Sequence, residues 1–138
     1  MDLTVDLHYK ADEEYYTENA SGNKVDIDML ARDDKKAQSP MELLLSAVMA
    51  CAAVDIVSMV KKRRKKFIDI KGKASGKRRE KPPKSFTDIH IHYDIASPDL
   101  TEEEAERIVG LATTKYCSVA GTINESAKIT HGFSIVRE

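Results

Sequence analysis

The chain has 138 residues, of which 41% are apolar, so it suits one domain over residues 1–138 and its composition argues against disorder. Its two cysteines are too few for a disulfide scaffold. The net charge is −1, but it is unevenly spread, because residues 61–84 hold thirteen Lys and Arg against two acidic residues.

Residues 1–30 predict a small antiparallel sheet. Four apolar residues alternate with polar ones as in a half-buried strand, namely Leu3, Val5, Leu7 and Tyr9. Two more strands are predicted at 14–18 and 24–29, joined by a tight turn. The N-terminus lacks the basic start and the apolar run of a signal peptide. We therefore expect a cytoplasmic protein, whose thiols are normally kept reduced.

A long helix is predicted from Pro40 to about Lys62. Ser39 is a favourable N-cap, Pro40 fits the first helical position, and Glu42 completes a capping box with Ser39. The segment 43–60 is apolar on nearly all sides, so most of its surface must be covered, and a second copy of the chain would supply the cover. This segment is short and polar for a membrane span. We therefore expect a homodimer and no membrane partner.

Two strands, two helices and a final strand are predicted after the long helix. A capping box of Thr101 with Glu104 marks the start of the second helix, whose apolar stripe includes Tyr116. The other predicted ranges are 67–77 and 85–96 for the strands, 118–126 for a short third helix and 128–136 for the last strand. Helices packed on antiparallel sheet define an α+β domain.

The basic stretch 61–84 covers the end of the long helix and the hairpin that follows it. A charge cluster of this kind raises the hypothesis of a nucleic-acid or acidic-ligand patch. No DNA- or RNA-binding motif accompanies the cluster. We therefore interpret it as a solvated helix end and hairpin, and expect no nucleic-acid partner.

The strand at 85–96 alternates apolar residues with two histidines. His90 and His92 are predicted to lie on the face opposite Ile89, Ile91 and Tyr93. Alternate strand histidines can bind a metal, and His131 or His8 would have to add a third ligand, although neither has a suggestive spacing. Histidines that face solvent are the default interpretation, so we predict no metal and no cofactor.

Each cysteine allows two interpretations. Cys51 lies mid-helix among alanines, with Asp55 four residues further on and on the same face. Cys117 follows Tyr116 at the end of the second helix. Both are either packed core thiols, because free cysteine is among the most buried residue types, or a redox pair. Spatial proximity does not follow from the residues alone.

Two motifs in order resemble those of the OsmC/Ohr family. The segment 39–44, SPMELL, running into Cys51 and then Asp55-Ile56-Val57, looks like the central-helix motif of OsmC-like proteins. The segment 115–120, KYCSVA, looks like the second-cysteine motif. Arg78-Arg79-Glu80 and 129–131 resemble an uncharacterised bacterial branch. The order of strands and helices matches too, so the resemblance covers nearly the whole chain.

The resemblance implies antiparallel sheets packed on a long central helix, in an intertwined homodimer with its two sites at the subunit interface. The peroxidase members reduce organic hydroperoxides in the stress response. By that resemblance, Cys51 is the peroxidatic thiolate and Cys117 the resolving thiol. Their disulfide then needs an external dithiol as reductant. The alternative is a non-enzymatic dimer that binds a small hydrophobic ligand in the same interface pocket.

The sequence departs from the peroxidase pattern at two positions. Residues 1–30 contain no Arg to hold the thiolate, and Met41 stands where those members carry Glu, with Glu42 one residue later. Cys51 is too far from the helix N-terminus for the dipole to lower its pKa, so a cation must do so. We predict Arg79, or its neighbour Arg78, for this role, and Glu42 as a further candidate site residue. Three cations upstream of the helix are the fallback, namely Arg32, Lys35 and Lys36.

Overall fold

The computed structural model describes residues 2–138. The chain forms two compact units, and the division falls after Leu44. The predicted α+β class is confirmed, because the chain contains two three-stranded sheets and one long helix. The interpretation of the whole chain as one domain stays a prediction.

The first unit holds an antiparallel sheet of three strands. They are β1 (Val5–Ala11), β2 (Glu14–Asn19) and β3 (Lys24–Asp28), in the order β1-β2-β3. The predicted turn before β3 is present, and Gly22 supplies its left-handed backbone with φ +86°. The prediction that β1 is half-buried is wrong, since the strand is exposed along its whole length. Its alternating apolar residues have no second layer within this three-stranded sheet against which to pack.

A buried carboxylate organises the loop after β3, which the sequence predicted only as polar. Asp28 is 2% exposed and accepts hydrogen bonds from Lys35 Nζ at 2.7 Å and from the amides of Lys36 and Ala37 at 2.8 Å. These bonds, led by the one from Lys35, lower the pKa of Asp28 to about 2. A 3₁₀ turn, Arg32–Asp34, lies within the same loop. The loop is therefore held by one ionised side chain.

Asp28 should make the stability of the protein depend on acid pH. An unfolded aspartate has a pKa near ~3.9. Because the folded pKa is lower, the stabilisation is complete above that value and is lost as pH falls towards about 2. We expect Asp28→Asn to lower the urea midpoint at pH 7. The gap between the urea midpoints of wild type and variant should shrink between about pH 4 and pH 2. Asp26→Asn is the control, because Asp26 is exposed and its ion pair with Lys10 is long at 3.4 Å. A gap independent of pH would contradict this account.

The long helix α1 (Pro40–Lys62) has the predicted bounds and the predicted cap. Ser39 N donates to Glu42 Oε1 at 2.9 Å, and Glu42 N donates to Ser39 Oγ at 3.2 Å. One stripe of the helix is buried, formed by Val48, Ala52, Ile56 and Val60. The expected cover on most sides is not present within the described residues 2–138, since Val54 is 70% exposed. The opposite face of α1 therefore remains apolar and open to solvent.

By length and composition, α1 is able to cross a membrane. It has 23 residues, and its most apolar 18-residue window has a mean hydropathy of 2.3. The prediction that this segment is too short and too polar for a span is therefore wrong on both grounds. Core helices of soluble proteins pass the same test, so composition alone does not assign α1 to a membrane.

The second unit holds the other sheet, in the order β4-β5-β6. Its strands, close to the predicted ranges, are β4 (Asp69–Arg78), β5 (Phe86–Ala96) and β6 (Lys128–Val136). β4 and β5 pair antiparallel, as predicted. The prediction of antiparallel sheet is wrong for β5 and β6, which pair parallel. Parallel neighbours require a crossover connection, and helices supply it here. They are α2 (Glu102–Leu111) and α3 (Ser118–Ile123), with a π-helical turn at Ala112–Tyr116 between them.

The π turn changes which residues face the core. The predicted capping box of Thr101 with Glu104 is present, and Ala105, Ile108, Val109 and Ala112 of the predicted apolar stripe are buried. The prediction for Tyr116 is wrong, because this residue is 50% exposed. The hydrogen bonds of a π helix join residues five positions apart rather than four, so the apolar stripe shifts out of register before Tyr116. Tyr116 is therefore exposed, and Cys117 is buried instead.

Candidate thiol site

Cys51 lies in the middle of α1, next to the buried stripe of that helix. It is half-buried, between the alanines at positions 50 and 52. Small neighbours on a regular helix leave space around the sulfur, so the thiol can be approached. Asp55, four residues on, is half-buried on the same face of the helix.

Cys117 lies at the end of the π turn and is 5% exposed. It is the N-cap of α3, where its Sγ accepts a hydrogen bond from Ala120 N at 3.3 Å. The same Sγ lies 3.7 Å from Val48 O in α1, to which the thiol donates. These contacts hold the side chain of Cys117 against the Cys51 helix. The sequence analysis did not predict this capping role, because cysteine is not a usual N-cap residue.

The structure places the two predicted cysteines close enough for each thiol to shift the pKa of the other, and the two pKa values move in opposite directions. Cys51 has a lowered pKa, chiefly because the amide of Val119 donates to its sulfur. The Cys117 thiol and the amide of Ser118 add to the lowering, against burial and the charge of Asp55. Burial is the main cause that raises the pKa of Cys117. Cys51 is therefore the thiol that ionises first, with Cys117 as a protonated neighbour that stabilises it.

Tyr93 is a site neighbour that was predicted only to share a strand face with Ile89 and Ile91. Its side chain is 1% exposed, and its hydroxyl donates to Met49 O in α1 at 2.7 Å. Burial raises its pKa most, followed by the nearby charges of Cys117 and Cys51. The phenol thus stays neutral beside the thiols. The only available signal was a tyrosine among isoleucines on the buried face of β5.

Glu42 and Arg79 occupy positions with structural contacts of their own. Glu42 completes the helix cap, and hydrogen bonds from Ser39 lower its pKa. Arg79 follows β4, where its amide donates to Ser85 O across the hairpin at 2.9 Å. The pKa of Cys51 is set by backbone amides, burial, the Cys117 thiol and the charge of Asp55, and no cation is among these main causes. The catalytic assignment of Glu42 and Arg79 therefore stays a prediction.

The two strand histidines are on the outer face of the second sheet, as predicted. Their neighbours Ile89, Ile91 and Tyr93 are buried, while His90 is exposed and His92 partly so. His131 is half-buried. Its ring atom Cε1 would lie 3.8 Å from a Cβ atom added at Gly110 of α2, so the ring is near that helix. Among residues 2–138, no group of three or more His, Cys, Asp or Glu is arranged to hold a metal ion.

The fold and the site define an α+β protein whose long helix carries one of two neighbouring thiols. A family model described as OsmC-like protein matches residues 32–132. Protein YhfA of Escherichia coli strain K12 is 39% identical over 119 residues, which are 86% of this chain and 87% of YhfA. The chain belongs to the OsmC-like family.

Solved structures agree with this assignment. A hypothetical protein from Aquifex aeolicus VF5 matches with a TM-score of 0.87 and 30% identity, over 100% of this chain and 98% of that one. The organic hydroperoxide resistance protein OsmC of Legionella pneumophila matches with a TM-score of 0.70 and 17% identity, over 97% of each chain. At that identity the likeness to the Legionella protein shows the fold alone. This fold is consistent with a soluble protein, and the cytoplasmic compartment stays a prediction.

Proposed function

We propose that the protein reduces organic hydroperoxides, with Cys51 as the peroxidatic thiolate and Cys117 as the resolving thiol. The observation that carries this proposal is the packing of Cys117 against the Cys51 helix, where its Sγ lies 3.7 Å from Val48 O. The two thiols shift each other's pKa there, with the pKa of Cys51 lowered and that of Cys117 raised. The Legionella protein, which shares the fold, is named an organic hydroperoxide resistance protein, and the proposal extends that substrate class and a role in the stress response to this chain.

The chemistry follows from the order in which the thiols ionise. The Cys51 thiolate attacks the terminal peroxide oxygen, the O–O bond breaks, and the alkoxide leaves and takes up a proton to become an alcohol. Cys51 is then a sulfenic acid, oxidised by two electrons. The Cys117 sulfur attacks the Cys51 sulfur, and the hydroxyl group leaves as water with the proton from Cys117. An external dithiol reduces the resulting disulfide by exchange and is itself oxidised.

The test is stoichiometric oxidation of the reduced protein by tert-butyl hydroperoxide. We expect intact mass to fall by about two protons per chain as the disulfide forms, with one alcohol released per disulfide. Added dithiol should restore the mass and sustain turnover. If excess peroxide leaves both cysteines unchanged, the alternative of a non-enzymatic dimer gains support. Such a dimer would bind a small hydrophobic ligand in the pocket at its subunit interface, beside the apolar helix α1.

We also propose that the functional unit is a homodimer. The exposed apolar residues Val54 of α1 and Val5 and Leu7 of β1 are the supporting observation, since apolar surface of this kind marks interaction sites. Sedimentation at micromolar concentration should show one dimeric species. A well-folded monomer under those conditions would contradict the proposal.

Arg79 remains our proposed cation for the Cys51 thiolate, with Glu80 orienting it. If it has this role, Arg79→Ala should raise the apparent pKa of Cys51 by about one pH unit or more. The measurement is the rate of Cys51 alkylation against pH, in a Cys117→Ser background so that one thiol reports. Lys81→Ala is the matched control, because Lys81 lies in the same exposed hairpin. Identical profiles would leave the amides of Val119 and Ser118 as the groups that hold the thiolate.

A further inference from the structure

The outer face of the second sheet carries two histidines on one strand, away from the thiol site. His90 and His92 alternate with buried residues along β5, so both rings project from the same face. In the sequence analysis, solvent exposure was the default interpretation of these residues because no third ligand had a suggestive spacing. The structure adds the hydrogen bonds of both rings and the residue that stands between them.

Each imidazole uses one of its two nitrogens in a hydrogen bond to a neighbouring side chain. His90 Nδ1 lies 2.7 Å from Thr130 Oγ1, and His92 Nε2 lies 2.9 Å from Ser134 Oγ. His92 Nε2 is also 3.4 Å from Asp94 Oδ1. An ionised carboxylate only accepts, so Asp94 favours the tautomer with the proton on His92 Nε2. That tautomer leaves a lone pair on His92 Nδ1. In the His90 tautomer whose Nδ1 donates to Thr130 Oγ1, the other lone pair is on His90 Nε2.

The two remaining nitrogens face the same point above Gly132. The parallel register places Gly132 beside His92. A Cβ at position 132 would lie 3.2 Å from His92 Nδ1 and 3.8 Å from His90 Nε2. Both lone pairs are therefore within 4 Å of one position, which is open because residue 132 is a glycine. His90 also borders a solvent-open hollow of about 260 Å³ that reaches Thr130 and Ser75, so the His90 side of this position is open to solvent.

We propose that His90 Nε2 and His92 Nδ1 bind a late first-row divalent metal ion of the Ni²⁺, Cu²⁺ or Zn²⁺ type. Imidazole is a preferred ligand of these ions. Metal-binding histidines characteristically donate their second ring nitrogen to an oxygen, and Thr130, Ser134 and Asp94 supply those oxygens here. Water completes the coordination, because the described residues offer no third His, Cys, Asp or Glu ligand at this position.

The charged residues around the site predict whether a given substitution should strengthen or weaken metal binding. Lys73 pairs directly with His92 in the antiparallel register, so its side chain shares the outer face and its charge opposes a bound cation. Asp94, hydrogen-bonded to His92, acts in the opposite direction. Removing the Lys73 charge should therefore tighten metal binding, and removing the Asp94 charge should weaken it.

The test is calorimetric titration of the full-length, reduced protein with Ni²⁺. We expect His90→Gln and His92→Gln each to weaken binding by about tenfold or more, since each removes one of two ligands. Gly132→Ala should weaken it similarly, because the new methyl group would lie within 4 Å of both nitrogens and crowd the ion and its water ligands. Lys73→Gln should tighten it. His8→Gln is the matched control and should bind as wild type, because His8 is exposed in β1 and stacks on Tyr16.

A second measurement distinguishes metal binding at the histidines from a folding defect in the variants and from Ni²⁺ binding at the thiols. In nuclear magnetic resonance spectra, Ni²⁺ should broaden the signals of His90, His92 and Gly132 before others, while urea midpoints of the variants stay close to wild type. Unchanged affinity in the His90→Gln/His92→Gln double variant would overturn the proposal. Loss of Ni²⁺ binding in Cys51→Ser, with both histidines intact, would also overturn it by assigning the ion to the thiols.

Discussion

Replacing Cys51 by serine should lower the rate of organic hydroperoxide reduction by about 10³-fold or more, the scale seen when an enzyme loses its nucleophile. A serine hydroxyl is not ionised near neutral pH, and it has no sulfur to carry the oxygen away from the peroxide. The measurement is alcohol formation from tert-butyl hydroperoxide with excess dithiol. The variant should keep its fold, because Cys51 is only half-buried and serine is close to it in size.

Cys117→Ser is the matched comparison for this prediction. It should still consume peroxide, because Cys51 remains: one equivalent per chain if it stops at the sulfenic acid, and more if it goes on to the over-oxidised forms. It should therefore gain oxygen mass where wild type loses two protons. Equal turnover in wild type and Cys51→Ser would contradict the assignment of the peroxidatic thiol. In Cys117→Ser, a disulfide can form only between Cys51 of two different chains. Formation of that linked pair as fast as the wild-type disulfide would contradict the resolving role of Cys117.

Truncating Tyr93 to alanine should lower the free energy of unfolding by about 3–5 kcal/mol, the usual cost of removing a buried aromatic ring. The side chain is 1% exposed and its hydroxyl bonds Met49 O at 2.7 Å, so the ring links β5 to the cysteine helix. Tyr93→Phe removes only the hydrogen bond and should cost about 1 kcal/mol. Tyr116→Ala is the control, because that ring is 50% exposed, and its cost should be much smaller. The measurement is urea unfolding at pH 7.

The phenol of Tyr93 also predicts a weakening at alkaline pH. Its folded pKa is raised by burial and by the neighbouring thiols, whereas an unfolded tyrosine titrates near ~10. Below that pH the phenol is protonated in both states. Above it the unfolded state loses its proton first, so the free energy of unfolding falls as pH rises. Tyr93→Phe has no phenol to ionise, so its free energy of unfolding does not fall in this way. The difference in free energy of unfolding between wild type and Tyr93→Phe should therefore shrink above about pH 10. A constant deficit would mean that Tyr93 ionises as easily in the fold as outside it.

Elements with strong local signals could be predicted from the sequence. Ser39, Pro40 and Glu42 define the start of α1 within four positions of the chain, and the structure has that start. The alternation of isoleucines along β5 predicted its buried face, which is the face observed. In both cases the information lies within a single turn or strand, where residue type and spacing decide the conformation.

Features that depend on distant partners were missed. Asp28 is an ordinary acidic residue until Lys35 and the following amides fold back onto it. The exposure of β1 follows from the absence of a second layer on its sheet, which its alternating pattern does not encode. The contact of Cys117 with Val48 joins positions 69 residues apart, so only the tertiary fold can show it. The family resemblance indicated the thiol pair, but not the amides of Val119 and Ser118 that serve it.

The parallel pairing of β5 with β6 has a consequence for when the thiols become reactive. The chain must leave the sheet after β5, form the crossover that contains Cys117, and return before β6 can add to the edge. Contacts between such distant segments form late in folding, because the intervening chain loses conformational entropy before it gains any contact energy. Until the crossover has packed, the amides of Val119 and Ser118 and the Cys117 thiol are not held near Cys51, so the causes that lower its pKa are missing. The lowered pKa of Cys51 is therefore a property of the finished fold and not of the cysteine helix alone.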